Sequence, residues 1–303
     1  MRETRKIVVG NSKEDKMASQ FEVLIDILLQ IPDNNQDYDY IFDLSTVTFA
    51  YPLVLTSIAA IKKSLENKGC KVEVNSNTSK ISPYLYHIHF PTPFDYIETP
   101  DWQQVLTQYK TKTYLPICLI HTGISNERVR NDIESIFTQI MQTQLTLQTN
   151  IKSAISFIIS EIIDNIDQHS MAPFGYIMVQ HYPKKGFLQI CIIDRGDGIL
   201  NSYIRNGFIN IETHSKALEE ALNGRSTKIN EKGRGFGIST SRKMLVKGLG
   251  GEFFLMTGNA LFVYTKVHEQ IIELDVKQAW DGTILAIGIP THAPKTFNII
   301  DYL

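Results

Sequence analysis

The sequence predicts a small α/β unit followed by a larger α+β two-layer sandwich, and three observations predict it. The chain has 303 residues with 43% apolar content, enough for two ordinary cores. Up to Val74, strand and helix patterns alternate, which indicates an α/β layer. From Tyr114 onward two helical stretches come first and a run of strands dominates afterwards, without the strand, helix, strand alternation of a dinucleotide-binding unit after Asp194.

In the first unit, Lys6 to Val9 reads as a short strand. Phe21, Leu24, Ile25, Leu28 and Leu29 recur at helical spacing, and Pro32 to Asn35 stop that helix. Tyr38 to Leu44 is a strand, Leu53 to Leu65 a helix ended by Gly69, and Lys71 to Val74 a strand. A looser region with Pro83, Pro91, Pro93 and Pro100 follows. The expected division is therefore 1–105 with its linker, 106–292, and a tail 293–303, with the first unit folding on its own.

The second unit begins with a strand, Tyr114 to His121. Helices over Asn126 to Thr146 and Asn150 to His169 follow, then strands at Gly175 to His181 and Phe187 to Asp194. A polar segment extends to Glu231. A helix from Gly237 to Val246 and strands at Glu252 to Met256, Leu261 to His268 and Thr283 to Gly288 complete it, with the helices expected on one face of the sheet.

A net charge of −2 excludes a whole-protein field that would gather nucleic acid or an acidic membrane. Cys70, Cys118 and Cys191 are far apart and odd in number, which suits small buried thiols better than a disulfide framework or a zinc site. The start MRETRKIVVG lacks the apolar length of a signal peptide, and no stretch reaches the roughly 18 apolar residues of a spanning helix. A cytoplasmic protein without membrane insertion is expected.

Three clusters carry chemistry. In Glu161 to Ser170, the residues Glu161, Asn165 and His169 follow at steps of four along one helix edge, beside a stripe made by Ile151, Ile155, Ile158, Ile162 and Ile166. In Asp194-Arg195-Gly196-Asp197-Gly198-Ile199, a carboxylate ends an apolar strand, and two glycines permit close backbone approach. In Lys232 to Ser239, Gly233, Gly235 and Gly237 precede a helix, an arrangement that aims N–H groups at an anion. Taken singly, each also reads plainly, as a solvated helix edge, a tight turn and a structural glycine loop. The last is neither a Walker loop, lacking the Gly-Lys-Ser/Thr ending, nor a dinucleotide fingerprint.

Taken in order, Glu161-x-x-x-Asn165, Asp194-x-Gly196-x-Gly198, Gly233-x-Gly235-x-Gly237 and Gly282-Thr283 resemble the four successive boxes of GHKL (histidine kinase-like, Bergerat-fold) ATP-binding domains. Gly250-Gly251-Glu252 before a strand is similar to a glycine pair of the same superfamily. The resemblance implies ATP and Mg2+ as cofactors. It implies Asn165 as the Mg2+ ligand, Glu161 as the general base, and His169 as a group near the phosphates. Asp194 would read the adenine amino group with Thr283 in support. Gly196 and Gly198 would let the chain pass the base, and Gly233, Gly235 and Gly237 would cradle phosphates with Arg234 adding charge. Leu200 to Lys232 would then be the ATP lid, with Lys228 and Arg225 as candidates for contacting the γ-phosphate.

The stretch Ile41 to Phe49, the helix to Leu65 and Gly69 to Val74 resemble a STAS domain, the fold of anti-sigma-factor antagonists. The hydroxyl of a phosphorylated STAS loop is missing, because the matching positions read Tyr51-Pro52-Leu53-Val54. A binding or dimerising module is expected, not a phosphoacceptor. The pairing is similar to anti-sigma serine kinases and their antagonists fused in one chain, and no upstream phosphoacceptor histidine supports a histidine kinase. The short stretch after Pro290 leads to the expectation that no transducer domain follows. The expected function is Mg-ATP binding with hydrolysis or phosphoryl transfer to a protein hydroxyl, coupled to a protein partner or self-association. The alternative is a nucleotide-gated interaction module without turnover.

Overall fold

A computed structural model of the chain describes residues 2–122, 135, 138, 155–158, 160, 171–225, 237–291, 297 and 299–302. The N-terminal unit alternates as expected: β1 (Glu3–Val8), α1 (Met17–Leu29), β2 (Tyr38–Asp43), α2 (Pro52–Asn67) and β3 (Val72–Asn75). Its three strands are parallel in the order β1-β2-β3. Helices α1 and α2 pack into one core, as two crossovers made in the same direction and of the same hand require.

The region expected to be loose contains two short helices, α3 (Ser82–His87) and α4 (Trp102–Thr107). Between them the chain seals the edge of β4 (Tyr114–His121). Phe94 N–H donates to the Ile117 carbonyl at 2.7 Å, and Leu119 N–H donates to the Phe94 carbonyl at 2.9 Å. An unpaired edge would otherwise be open to another strand.

The second sheet has seven strands. After β4 come β5 (Phe174–Tyr182), β6 (Phe187–Asp194), β7 (Glu252–Gly258), β8 (Ala260–Tyr264), β9 (Glu269–Glu273) and β10 (Trp280–Pro290). Their order is β4-β5-β6-β10-β7-β8-β9, and every pairing is antiparallel. The strand expected over Leu261 to His268 stops at Tyr264, and a separate edge strand, β9, follows. The segment expected to be polar holds α5 (Gly198–Arg205) and α6 (His214–Leu222). Helix α7 (Gly237–Lys243) continues into a π turn at Met244–Gly248.

Both faces of this sheet are buried, and each closes a different core. Leu188, Ile190, Ile192, Leu255, Leu285 and Ile287 point to the side where Ile155, Ile158, Leu218 and Leu245 pack. Cys191, Ile193, Phe254, Met256, Trp280 and Ile284 point the other way, into one core with Phe21, Leu24, Leu55 and Ile58 of α1 and α2. Phe21 and Phe254 stack with centroids 5.4 Å apart. The expected two-layer sandwich thus gains a third layer, because the helices of the N-terminal unit cover the face that two layers leave open. The three cysteines are free and buried. No helix among the described residues is long and apolar enough to cross a membrane.

A cluster of rings and charges also joins the two units. Lys185, in the turn between β5 and β6, pairs with Asp15 and lies 3.9 Å from the centre of the Phe49 ring. Tyr51 hydrogen-bonds Asp15, and its ring lies 5.8 Å from that of Tyr182.

Candidate functional site

Strand β6 ends at Asp194. Thr283 of β10 lies directly across from it, and Thr257 of β7 lies directly across from Thr283. The alternation of side chains along a strand puts all three on the face that also carries Ile192, Leu255 and Leu285, the face toward Ile155 and Ile158. A row of one carboxyl and two hydroxyls therefore runs across three neighbouring strand ends.

The register of β10 against β7 shifts between Trp280 and Thr283, a bulge that holds Asp281 and Gly282. Gly282 has φ +103°. A Cβ there would press on the Asp194 carbonyl oxygen and lie 2.8 Å from both Asp194 Oδ1 and the Gly196 nitrogen. Only glycine lets β10 pass this close. The Trp280 indole donates to the Asp194 carbonyl at 3.0 Å, fixing the same corner from the opposite face.

Asp194 is 4% exposed. Burial pushes its carboxyl pKa up to about 7, against the pull of hydrogen bonds from Gly196 and Thr283 and of the Arg195 charge. The Gly196 N–H donates to Oδ1 at 2.8 Å. Desolvation raises a carboxyl pKa because it penalises the charged form, and a further donor would recover part of that cost. The carboxylate is therefore suited to accept from an N–H of a ligand.

Beyond the strand end, Gly198 takes φ +72° and opens α5. A Cβ there would lie 2.9 Å from Thr257 Oγ1. The same hydroxyl accepts a hydrogen bond from Ile199 N–H at 3.0 Å, so the Asp-Arg-Gly-Asp-Gly turn is pinned to β7 as well as to β10. The π turn that continues α7 is closed before β7, where Gly251 N–H donates to the Leu245 carbonyl at 3.0 Å. Gly237 lies eight residues before Leu245, about 12 Å along a helix.

The structure brings Asp194, Gly196, Gly198 and Thr283 together and sets Gly237 at the start of α7. Glu161, Asn165, His169, Lys228, Gly233, Arg234 and Gly235 lie outside the described residues. The first part of the expected lid, Leu200 to Lys232, holds α5 and α6. Leu200, Tyr203, Ile211 and Ala217 form a small core between α5 and α6. Polar side chains obscured that core in the sequence, because only one stripe of each short helix is apolar. Arg225 pairs with Glu220 at 3.2 Å and lies over the Phe208 ring.

Sequence reasoning missed Thr257, Trp280 and Arg195. The signal for Thr257 was a hydroxyl at an inward position closing the apolar run Phe253 to Met256. Trp280 gave no sign of its bond to Asp194, because a contact between strands is not written in local pattern.

Residues 150–277 match the model of the histidine kinase-, DNA gyrase B- and HSP90-like ATPase family. That part of the chain is a GHKL-type domain. The match begins at the helical stretch carrying Ile155 and Ile158 and ends just before Gly282 and Thr283, which the β6–β10 pairing adds to it. No curated protein and no solved structure matches the chain.

Proposed function

We propose that the protein binds Mg-ATP at the Asp194 corner and hydrolyses it or transfers its phosphoryl group to a protein hydroxyl. The pairing of buried Asp194 with Thr283, on the face toward the helical segment at Ile155 and Ile158, carries this reading. Asp194 accepts from the adenine amino group, and Thr283 holds that carboxylate in place. Gly196 and Gly198 keep the chain clear of the base. Gly233, Gly235 and Gly237, with Arg234, direct N–H groups and positive charge at the phosphates, and Lys228 adds a second cation.

One turn separates Glu161 from Asn165 on the predicted helix, so the two reach one phosphate-centred assembly from different sides. Asn165 offers its amide oxygen to Mg2+, Glu161 takes the proton from a water or acceptor hydroxyl, and His169 stands one turn further on. Bound Mg2+ would neutralise phosphate charge. The N-terminal unit, with its parallel β1-β2-β3 sheet, serves as a STAS-like module for a protein partner or a second copy. Tyr51, Leu53 and Val54 are buried where a phosphoacceptor would stand, which supports binding over phosphorylation.

Nucleotide-gated binding without turnover is the second reading. The core shared by α1, α2 and the ATP-site sheet favours it, because it offers a packed route between the two. Incubation with γ-labelled ATP and Mg2+ separates the readings. Released phosphate or labelled protein supports chemistry. Saturable binding with neither, while partner affinity changes with nucleotide, supports gating.

A further inference from the structure

Asp194 and Arg195 are consecutive, so their side chains leave the end of β6 on opposite faces. Asp194 faces the proposed nucleotide. Arg195 faces the N-terminal unit, where its Nη2 reaches Ser64 Oγ of α2 at 3.5 Å and Asp281 Oδ2 at 3.1 Å. Its guanidinium lies 4.5 Å from the centre of the Trp280 ring, and Trp280 is fully buried.

These contacts make a closed bracket. Trp280 and Asp281 precede Gly282 in the bulge that presses on Asp194, and the Trp280 indole donates to the Asp194 carbonyl. Arg195 therefore holds the two consecutive residues before Gly282, lying over Trp280 and pairing with Asp281, while touching α2. A planar, fixed-charge group suits this task, since it can stack on an indole, pair with a carboxylate and donate to a hydroxyl at once. Burial of the guanidinium disfavours its charge, and Asp281, Tyr176 and Asp194 offset this.

We infer that Arg195 is a positioning residue through which α2 of the N-terminal unit sets the geometry of the Asp194–Gly282–Thr283 corner, and hence nucleotide affinity and base selectivity. The inference rests on the nucleotide reading of Asp194 and adds to it a second surface of control. A shift of α2 at Ser64 would move the Arg195 bracket, and the bulge would carry the shift to Asp194. Sites coupled in this way change each other's affinity reciprocally.

The test uses the full chain and variants that do not touch the nucleotide. Ser64→Lys places a second cation against Arg195 from α2. Asp281→Asn breaks the ion pair at a side chain that is 77% exposed, so the fold should survive. Arg195→Gln removes the bracket, and Arg195→Lys keeps the charge without the planar stack. Calorimetry would measure ADP and GDP affinity, with thermal melting as the control for folding. Folded Ser64→Lys and Asp281→Asn are each expected to lose about fivefold or more in ADP affinity and to discriminate less against GDP, with Arg195→Lys falling between wild type and Arg195→Gln. If both Ser64→Lys and Asp281→Asn keep wild-type affinity and selectivity while Asp194→Asn loses them, the inference is overturned and the nucleotide reading stands. A parent protein that binds neither nucleotide overturns the Asp194 reading, and the inference falls with it.

Discussion

Thr283 lies directly across the β6–β10 ladder from Asp194, and its polar groups pull the Asp194 carboxyl down against the rise that burial imposes. A polar pair at the end of two otherwise apolar strands gives the proposed site one defined corner. It also makes several consequences measurable.

The Asp194 carboxyl is costly to ionise in the folded protein. Its folded pKa of about 7 lies above the ordinary value of 3.8, so the folded state binds the extra proton between these values. Stability of the nucleotide-free protein is expected to fall as pH rises from about 4 to about 7, and to level off above that. Asp194→Asn should remove this contribution, leaving the variant more stable than wild type at pH 8 by an amount that shrinks toward pH 4. Urea melts at both pH values check it. The same variant should lose about 2 kcal/mol or more of ATP affinity, roughly thirtyfold. Unchanged affinity by calorimetry would remove the adenine assignment.

Glu161 and Asn165 should differ when replaced. Asn165→Ala is expected to weaken Mg2+-dependent nucleotide binding. Glu161→Gln should leave binding intact and lower any turnover about 10²-fold or more. Full turnover in an active Glu161→Gln protein would show that this carboxylate is not the base.

Gly282→Ala is expected to destabilise the fold by about 1–3 kcal/mol, from strain at positive φ and from the clash with the Asp194 carbonyl and carboxylate. Denaturant melts would measure that loss, and nucleotide affinity should fall with it because the Asp194 corner must open. Gly10, where an added Cβ meets nothing within 4 Å, provides the control.

The core shared by α1, α2 and the seven-stranded sheet predicts one cooperative unfolding transition for the whole chain. Residues 1–105 expressed alone would expose the faces of α1 and α2 that carry Phe21 and Leu55. Two separate calorimetric transitions, or a well-folded fragment 1–105, would show that the units stand alone.

Lys185 should contribute through its ring contacts and its pair with Asp15. Lys185 holds the Asp15 pKa below its ordinary value, so the contribution is present above a pH of about 4 and is lost as pH falls through the lowered pKa. Lys185→Met is expected to lower thermal stability at neutral pH by up to about 1 kcal/mol, with the difference shrinking in acid. A difference that does not change with pH would assign the effect to packing alone.

Much of this protein was determined by sequence alone, because much of it is periodic. The run Leu188 to Asp194 reads as a buried strand ending in a carboxylate, and Ile155 and Ile158 read as one stripe of a helix; both lie in or beside the expected core. Gly282 and Thr283 were legible only through the resemblance to GHKL domains, since the close pass of β10 beside Asp194 is a contact between distant strands. What only the tertiary structure decided was which surfaces meet. The apolar second face of the sheet looked in sequence like ordinary strand burial, and nothing in local pattern assigned it to α1 and α2. Arg195 read as one residue of a turn. Its contacts with Ser64, Trp280 and Asp281 join chain segments 131 and 86 positions apart, and such contacts exist only once the strands and helices that carry them have packed. Spacing along the chain encodes which face of an element is apolar, and long-range packing chooses the partner for that face.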